Sequence, residues 1–326
     1  MPTGTPVDRT VSDTVAPAGL DVLVEVPATS ANLGAGYDSF GMALDIRDAV
    51  RARVSAEAVD PAACVTVIGE GADDLPRDAS HLAHRVASEI LAARGIDLAG
   101  RLSLECRNVI PQSRGMGSSA SAVVAGIAVA DALARAAGLP GETAANRLAW
   151  ATRYEGHPDN AAPALFGGVS ISFTDLGGAA RSVSLPVADD VRVVLVVPDT
   201  RLDTAVARAL LPEVVPHAEA AANSAVAGLF VHAISTDPSL LLEATVDRLH
   251  QNYRRPAMSA SLERIDALRA AGLAAVVSGA GPTIAVLGTG ADLGARVRAE
   301  LGGDDARIID TRIAPMGAVT TVDGAV

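Results

Sequence analysis

Pro111-Gln112-Ser113-Arg114-Gly115-Met116-Gly117-Ser118-Ser119-Ala120 stands where an alternating apolar strand, Arg101 to Arg107, gives way to a long helix of small residues, Ser118 to Ala137, ending before Gly138. A strand, a glycine-bearing loop and a helix in that order bring free backbone amides and the positive end of a helix dipole to one point. That combination stabilises phosphate charge without a lysine, because the glycines let the backbone approach an anion closely. Ser118 and Ser119 add hydroxyls suited to phosphate oxygens or magnesium. Taken alone, a G-x-G-S-S segment also suits an ordinary glycine turn with a serine cap, so the rest of the chain has to decide.

Outward from this loop the chain alternates strands and helices. Asp21 to Ala28, Ser39 to Asp45, Ala49 to Glu57 and Cys64 to Ile68 read as strands, and His81 to Arg94 has apolar residues at helical spacing. After the small-residue helix, Glu142 to Arg153 reads as a helix, Glu155 to Pro163 as a polar, turn-rich connection, and Gly168 to Phe173 and Val191 to Val197 as strands. A helix-rich stretch follows from Thr204 to Leu268. Then come a strand Ala274 to Ser278, the turn Gly279-Ala280-Gly281-Pro282, a strand to Leu287, a helix from Asp292 and a strand at Arg307 to Thr311. A chain of 326 residues suits two domains, and a composition shift at Gly177-Gly178 suggests the division: a disordered tail over 1–19, one domain over 20–178 and another over 179–326.

Composition removes several function classes. The net charge of −12, with only 2% aromatic residues, argues against nucleic acid as a partner, because phosphate backbones demand a basic face and bases a stacking surface. No run approaches eighteen uninterrupted apolar residues, and Met1 to Gly19 lacks the apolar core of a signal peptide, so neither membrane nor export is expected. Cys64 and Cys106 lie in strand-like apolar runs and are expected as buried free thiols, in keeping with a cytoplasmic protein. All 26 positive residues are arginine, which excludes Schiff-base chemistry and a lysine-bearing Walker loop.

The Pro111 to Ala120 segment resembles the second motif of the GHMP kinases, P-x-x-x-G-L-G-S-S-A, with Met116 in place of the usual leucine, a volume-conserving swap. Pro27 to Gly41 is similar to the family's first motif and Val277 to Ile284 to its third, so the resemblance spans nearly all of the chain after the tail. It implies an α+β two-domain GHMP kinase fold, with an N-terminal phosphate-loop domain, a C-terminal ferredoxin-like α/β domain and an active site between them. It also implies ATP and Mg²⁺ as cofactors, with Pro111 to Ala120 and Ser121 on the ATP, and Gly279 and Gly281 as a supporting loop. A Mg²⁺ held by Ser118 and Glu155 is implied in the same way.

Within the family, Pro27-Ala28-Thr29-Ser30-Ala31-Asn32-Leu33-Gly34-Ala35-Gly36-Tyr37-Asp38 and Glu155-Gly156-His157-Pro158-Asp159-Asn160 resemble the members that phosphorylate L-homoserine, a step of threonine biosynthesis. That acceptor carries an ammonium, a carboxylate and a free hydroxyl, which call for acidic, amide and arginine side chains together. The resemblance points to Asn32, Asp38, His157, Asp159, Asn160, Thr204, Arg208 and Arg254 as its contacts, with Arg255 a register rival to Arg254. Whether Asp159 acts as a base or holds the ammonium stays open at this level, as do a homodimer and feedback control. The other readings are a family member with a mevalonate- or shikimate-like acceptor and a silent ATP-binding relative. The absence of lysine and the two quoted segments weigh against the first, and the retained site residues against the second.

Overall fold

The computed structural model describes residues 18–98, 100–303 and 305–323; the tail expected over 1–19 lies, up to residue 17, outside the described residues. In chain order the elements of the first half are Asp21–Ala31 (β1), Phe40–Val54 (β2), Val65–Gly69 (β3), Leu82–Ala93 (α1), Leu102–Asn108 (β4) and Ser118–Ala136 (α2). Ala144–Glu155 (α3), Pro158–Phe166 (α4), Val169–Thr174 (β5) and Ala180–Leu185 (β6) complete it. The second half comprises Val191–Val197 (β7), Thr204–Ala209 (α5), His217–Ser235 (α6), Leu241–Ala244 (α7), Ser259–Ala270 (α8), Ala274–Val277 (β8), Ile284–Thr289 (β9), Leu293–Leu301 (α9), Arg307–Thr311 (β10) and Val319–Asp323 (β11).

Two sheets result. The larger runs β11-β1-β2-β4-β3, with β5 paired to the opposite end of β2 and β6 to β5; only β3 and β4 are parallel. In β1 the alternation of Val22, Val24 and Val26 turns one face onto α1 and α2, as a period of two requires. The smaller sheet is antiparallel in the order β10-β7-β9-β8, so a strand, helices, two hairpin strands, a helix and a final strand form a ferredoxin-like half. The α+β class is as expected. A middle core joins the sheets, with Phe40 of β2 stacked on Phe230 of α6 at 5.0 Å between ring centroids, while α8 and α9 cover the far face of the smaller sheet.

The structure departs from the sequence expectations in three places. The two strands expected on either side of Ile46-Arg47-Asp48 are one strand, β2. The polar step does not interrupt it: Asp48 accepts hydrogen bonds from the amides of Val109 and Ile110, and Arg47 donates to the carbonyls of Met316 and Gly317. The turn-rich connection expected over Glu155 to Pro163 is largely helix α4. Pro158 sits in its first turn, where a missing N–H costs nothing, and Gly156 (φ 79°) closes α3 just before it. Pro163 leaves the Asp159 carbonyl without its helical donor, and that oxygen rests where a Cβ on Gly41 would lie, 1.8 Å away. The shift at Gly177-Gly178 coincides with the β5–β6 hairpin, whose Asp175 accepts from the amides of Gly177 and Ala179. Finally, β6 and β11 were not anticipated, because both are short, polar and mostly exposed.

The helix α2 is long and apolar enough to cross a membrane by length and composition alone, but it packs against α1 and β1 and is largely buried, as a core helix is. Cys64 and Cys106 are both buried free thiols, and burial pushes the Cys106 thiol up to about 12.

Candidate active site

Three loops far apart in sequence close on one another. The amide of Thr29 donates to the Met116 carbonyl at 3.0 Å, that of Gly279 to Ala31 at 3.0 Å, and that of Thr283 to Arg114 at 3.2 Å. The Ser278 hydroxyl donates to the Gly115 carbonyl at 2.6 Å, and the Asn32 amide group to the Gly279 carbonyl at 2.7 Å. The glycines make this possible. A Cβ on Gly115 (φ 75°) would lie 2.2 Å from the Ser278 carbonyl oxygen, and one on Gly117 (φ 72°) 1.9 Å from the Thr29 hydroxyl. Gly279 and Gly281 also take positive φ; a Cβ on Gly281 would lie 2.5 Å from the Met258 sulfur.

Beside the interlocked loops lies a cleft of ≈ 300 Å³, and all eight residues expected at the acceptor line it: Asn32, Asp38, His157, Asp159, Asn160, Thr204, Arg208 and Arg254. Of the expected ATP loop, Gln112, Ser113, Gly115, Gly117, Ser118 and Ser119 also line it. The rest support the loop. Pro111, Met116 and Ala120 are buried, and Arg114 donates to the carbonyls of Pro198 and Asp199, tying the loop to the end of β7. Ser121 turns inward and its hydroxyl donates to the buried carboxylate of Asp48 at 3.1 Å. The same Asp48 holds the amides of Val109 and Ile110, so one side chain of β2 fixes both ends of the phosphate loop. Burial raises its pKa against those hydrogen bonds. Because α2 begins at Ser118, the amides of its first turn lack helical acceptors.

On the far wall, Glu155 ends α3. It was expected to act with Ser118; here the Ser119 hydroxyl donates to it at 2.6 Å, with Ser118 on the same wall. Burial raises its pKa, and the Ser119 bond opposes that. Among the described residues, no cluster of three or more acidic, histidine or cysteine side chains could hold a metal. The Thr29 hydroxyl donates to Asn160 Oδ1 at 2.8 Å, joining the first loop to α4.

The charged groups are paired closely. Arg208 grips Asp38 with both guanidinium nitrogens, at 2.7 and 3.1 Å, and donates to the Tyr37 hydroxyl at 2.8 Å. The Asp38 bond raises the Arg208 pKa. Asp38 and Asn32 both hold positive φ, and the Asp38 amide donates to Asn32 Oδ1 at 2.9 Å, so this turn is set by its own side chain. Arg254 is only 2% exposed and donates to the Gly279 carbonyl at 3.1 Å, whereas Arg255 pairs on the surface with Asp266. Burial lowers the Arg254 pKa. His250 is wholly buried: its Nε2 faces the Gly34 carbonyl, which can only accept, so Nδ1 is left to accept from Arg254 at 3.3 Å. Tyr37, His250 and Asp48 are the site-building residues that sequence reasoning passed over. Tyr37 sits inside the segment quoted for Asn32 and Asp38, and His250 precedes Arg254 by four residues.

Asp159 is 4% exposed, and burial, then the nearby Asp38 charge, pushes its carboxyl up to about 7. The stability gained from this raised value is present below the ordinary aspartate range and is lost as pH rises through about 7. Asp159→Asn should therefore stabilise the protein above pH 7 by at most about 4 kcal/mol and by much less at pH 5. Urea unfolding at pH 5 and pH 8 checks this, and an equal gain at both would contradict it.

Residues 81–168 match the family model for the GHMP kinases N terminal domain, and residues 231–304 that for GHMP kinases C terminal. The chain is 46% identical over 267 residues to the homoserine kinase of Streptomyces avermitilis, covering 82% of this chain and 85% of the relative. It is 42% identical over 286 residues to that of Mycobacterium tuberculosis, covering 87% and 89%. A crystal structure of homoserine kinase from Cytophaga hutchinsonii superposes with a TM-score of 0.79 at 24% identity, over 92% of this chain and 97% of the other. A putative homoserine kinase from Listeria monocytogenes does so with a TM-score of 0.71 at 27% identity, over 93% and 100%.

Proposed function

Since the chain belongs to the GHMP kinase family, we propose that it transfers the γ-phosphoryl group of ATP to the side-chain hydroxyl of L-homoserine, giving ADP and O-phospho-L-homoserine. The acceptor oxygen forms a bond to the γ-phosphorus as the bond to the bridging oxygen of ADP breaks. The observation that carries this reading is one cleft that holds both a lysine-free phosphate loop and side chains of each sign. Amides and hydroxyls of the loop serve the phosphates, and positioning with charge neutralisation supplies most of the rate.

Glu155, Ser118 and Ser119 offer one carboxylate and two hydroxyls, a hard-oxygen set that fits a Mg²⁺ completing its shell from phosphates and water. When bound, such an ion neutralises phosphate charge. Asp38 and Asp159 repel each other and suit an ammonium between them, while Arg208 and Arg254 suit the carboxylate. Asn32 and Asn160 stand next to the phosphate loop as contacts for the hydroxyl, and His157 and Thr204 border the same space. The buried free thiols support a cytoplasmic protein.

The test is ADP release with MgATP and a panel of L-homoserine, mevalonate, shikimate, L-serine and galactose. Strong preference for L-homoserine is expected; turnover of another panel member would move the acceptor, and none at all would select a silent nucleotide binder. With L-homoserine, kcat/KM should fall as pH drops below about 7, because protonated Asp159 no longer attracts the ammonium. Asp159→Asn should flatten that limb and raise KM while kcat changes by less than about threefold; a fall in kcat of about 100-fold at constant KM would assign Asp159 to the hydroxyl proton instead.

A further inference from the structure

The polar contacts of the acceptor pocket are already spent on one another. Asp38 and Arg208 form a two-point ion pair inside the cleft, with side chains 29% and 35% exposed. The Tyr37 hydroxyl shares the same guanidinium nitrogen with Asp38, and the Tyr37 ring lies 5.6 Å from the Arg208 guanidinium carbon and 5.5 Å from that of Arg254. The opposite face of this arrangement is fixed, since the ring also packs at 5.3 Å against the buried His250. Tyr37 thus holds two cations at a set spacing. Among the described residues, Arg208 has a carboxylate in direct contact, whereas Arg254 has the Gly279 carbonyl, His250 and the ring, with no acid at ion-pair distance.

We infer that the Asp38–Arg208 pair is an internal stand-in for the acceptor's own charges, so that the pocket admits a zwitterion by exchanging partners and rejects acceptors carrying a single charge. This rests on the proposed phosphorylation of an α-amino acid hydroxyl. An α-ammonium and α-carboxylate are separated by one carbon. Inserted at the pair, they give Asp38 a cation and Arg208 an anion at once, and no charge in the cleft loses its partner. An acceptor with only a carboxylate can take Arg208 but leaves Asp38 with the His157 imidazole, 3.8 Å away, as its nearest remaining partner and beside Asp159, whose carboxyl is raised first by burial and then by the Asp38 charge. One with only an ammonium strands Arg208. A partly buried ion left unpaired in the cleft is the costly outcome, so each half-ligand is opposed by the pair it must open. Tyr37 is the positioning residue in this exchange, because its hydroxyl and ring keep Arg208 in place while Asp38 turns to the ligand.

The expectation is a crossover. In the full-length protein with MgATP, kcat/KM is measured for L-homoserine, 4-hydroxybutyrate, which lacks the ammonium, and 3-amino-1-propanol, which lacks the carboxylate. Asp38→Asn frees Arg208 and should lower kcat/KM for L-homoserine by about 100-fold or more while raising that for 4-hydroxybutyrate above the unsubstituted protein by about 10-fold. Arg208→Gln frees Asp38 and should do the same in favour of 3-amino-1-propanol. Tyr37→Phe, which keeps the ring, should raise KM for L-homoserine with kcat and the KM for ATP held. Thermal melting and the KM for ATP of each variant show that it is folded. If neither half-ligand gains in its matching variant, the exchange is refuted even though L-homoserine remains the substrate. If the unsubstituted protein prefers a different panel acceptor, it is the underlying reading that has failed.

Discussion

Gly115→Ala should lower kcat/KM for ATP by about 100-fold, a loss equivalent to displacing reacting groups by about 1 Å. The argument is steric. The added Cβ would lie 2.2 Å from the Ser278 carbonyl oxygen and 2.8 Å from the Gly281 amide nitrogen, both backbone atoms with no rotamer to yield. Its φ of 75° adds conformational strain, but that is the smaller part, about 1 kcal/mol. Gly138→Ala separates the two effects: φ is 81°, also left-handed, yet nothing lies within 4 Å of the added Cβ. Steady-state kinetics should show Gly138→Ala with unchanged ATP parameters and slightly lower stability. If Gly115→Ala kept its ATP kinetics within about threefold, close packing of the third loop on the second would not be what shapes the phosphate site.

Arg254→Ala is expected to cost about 3 kcal/mol of stability and more than about 1,000-fold in kcat/KM for the acceptor. Arg254 is among the largest fully buried side chains, so truncation leaves a cavity beside the Tyr37 ring and deprives His250 Nδ1 of its donor. The Gly279 carbonyl keeps the Asn32 amide group at 2.7 Å, so the loop contact is weakened and not abolished. Arg254→Lys retains a charge but loses the planar fork, and should recover stability better than turnover. Arg255→Ala is the matched control: its partner Asp266 is a surface residue, so a change below about 1 kcal/mol and no kinetic effect are expected. Urea unfolding and acceptor kinetics on all three check this, and equal effects at 254 and 255 would remove the distinction drawn between them.

Much of this site could be read before the fold was known. The strand, glycine loop and helix order pointed to the phosphate loop, and the family resemblance pointed to the eight residues expected at the acceptor; all of these line one cleft or support its loop. What could not be read was which side chain does which task. Ser121 stands only two residues after Ser119, yet the 100° step per helical residue turns it into the core onto Asp48. Arg47 and Asp48 split β2 into two expected strands, because periodicity cannot distinguish a solvated charge from one satisfied by distant backbone. Pro163 and the polar Asp159-Asn160 pair hid α4, although Ala161, Ala162 and Ala164 between and beyond them favour helix and are buried. β6 and β11 are short and carry no sustained apolar alternation, so their pairing is set by the strands beside them.

The return of β11 to β1 has a consequence for how the chain is made. The larger sheet contains strands from residues 21 and 323, and the phosphate loop is closed by residues near 29, 115 and 279. Contacts of such sequence separation form late, so a nascent chain leaving the ribosome has the loop and its helix long before it has the strand and the third loop that complete them. Nucleotide therefore adds nothing to the stability of early chain lengths, and protection from proteolysis by ATP should arise abruptly, once the last quarter of the polypeptide has emerged.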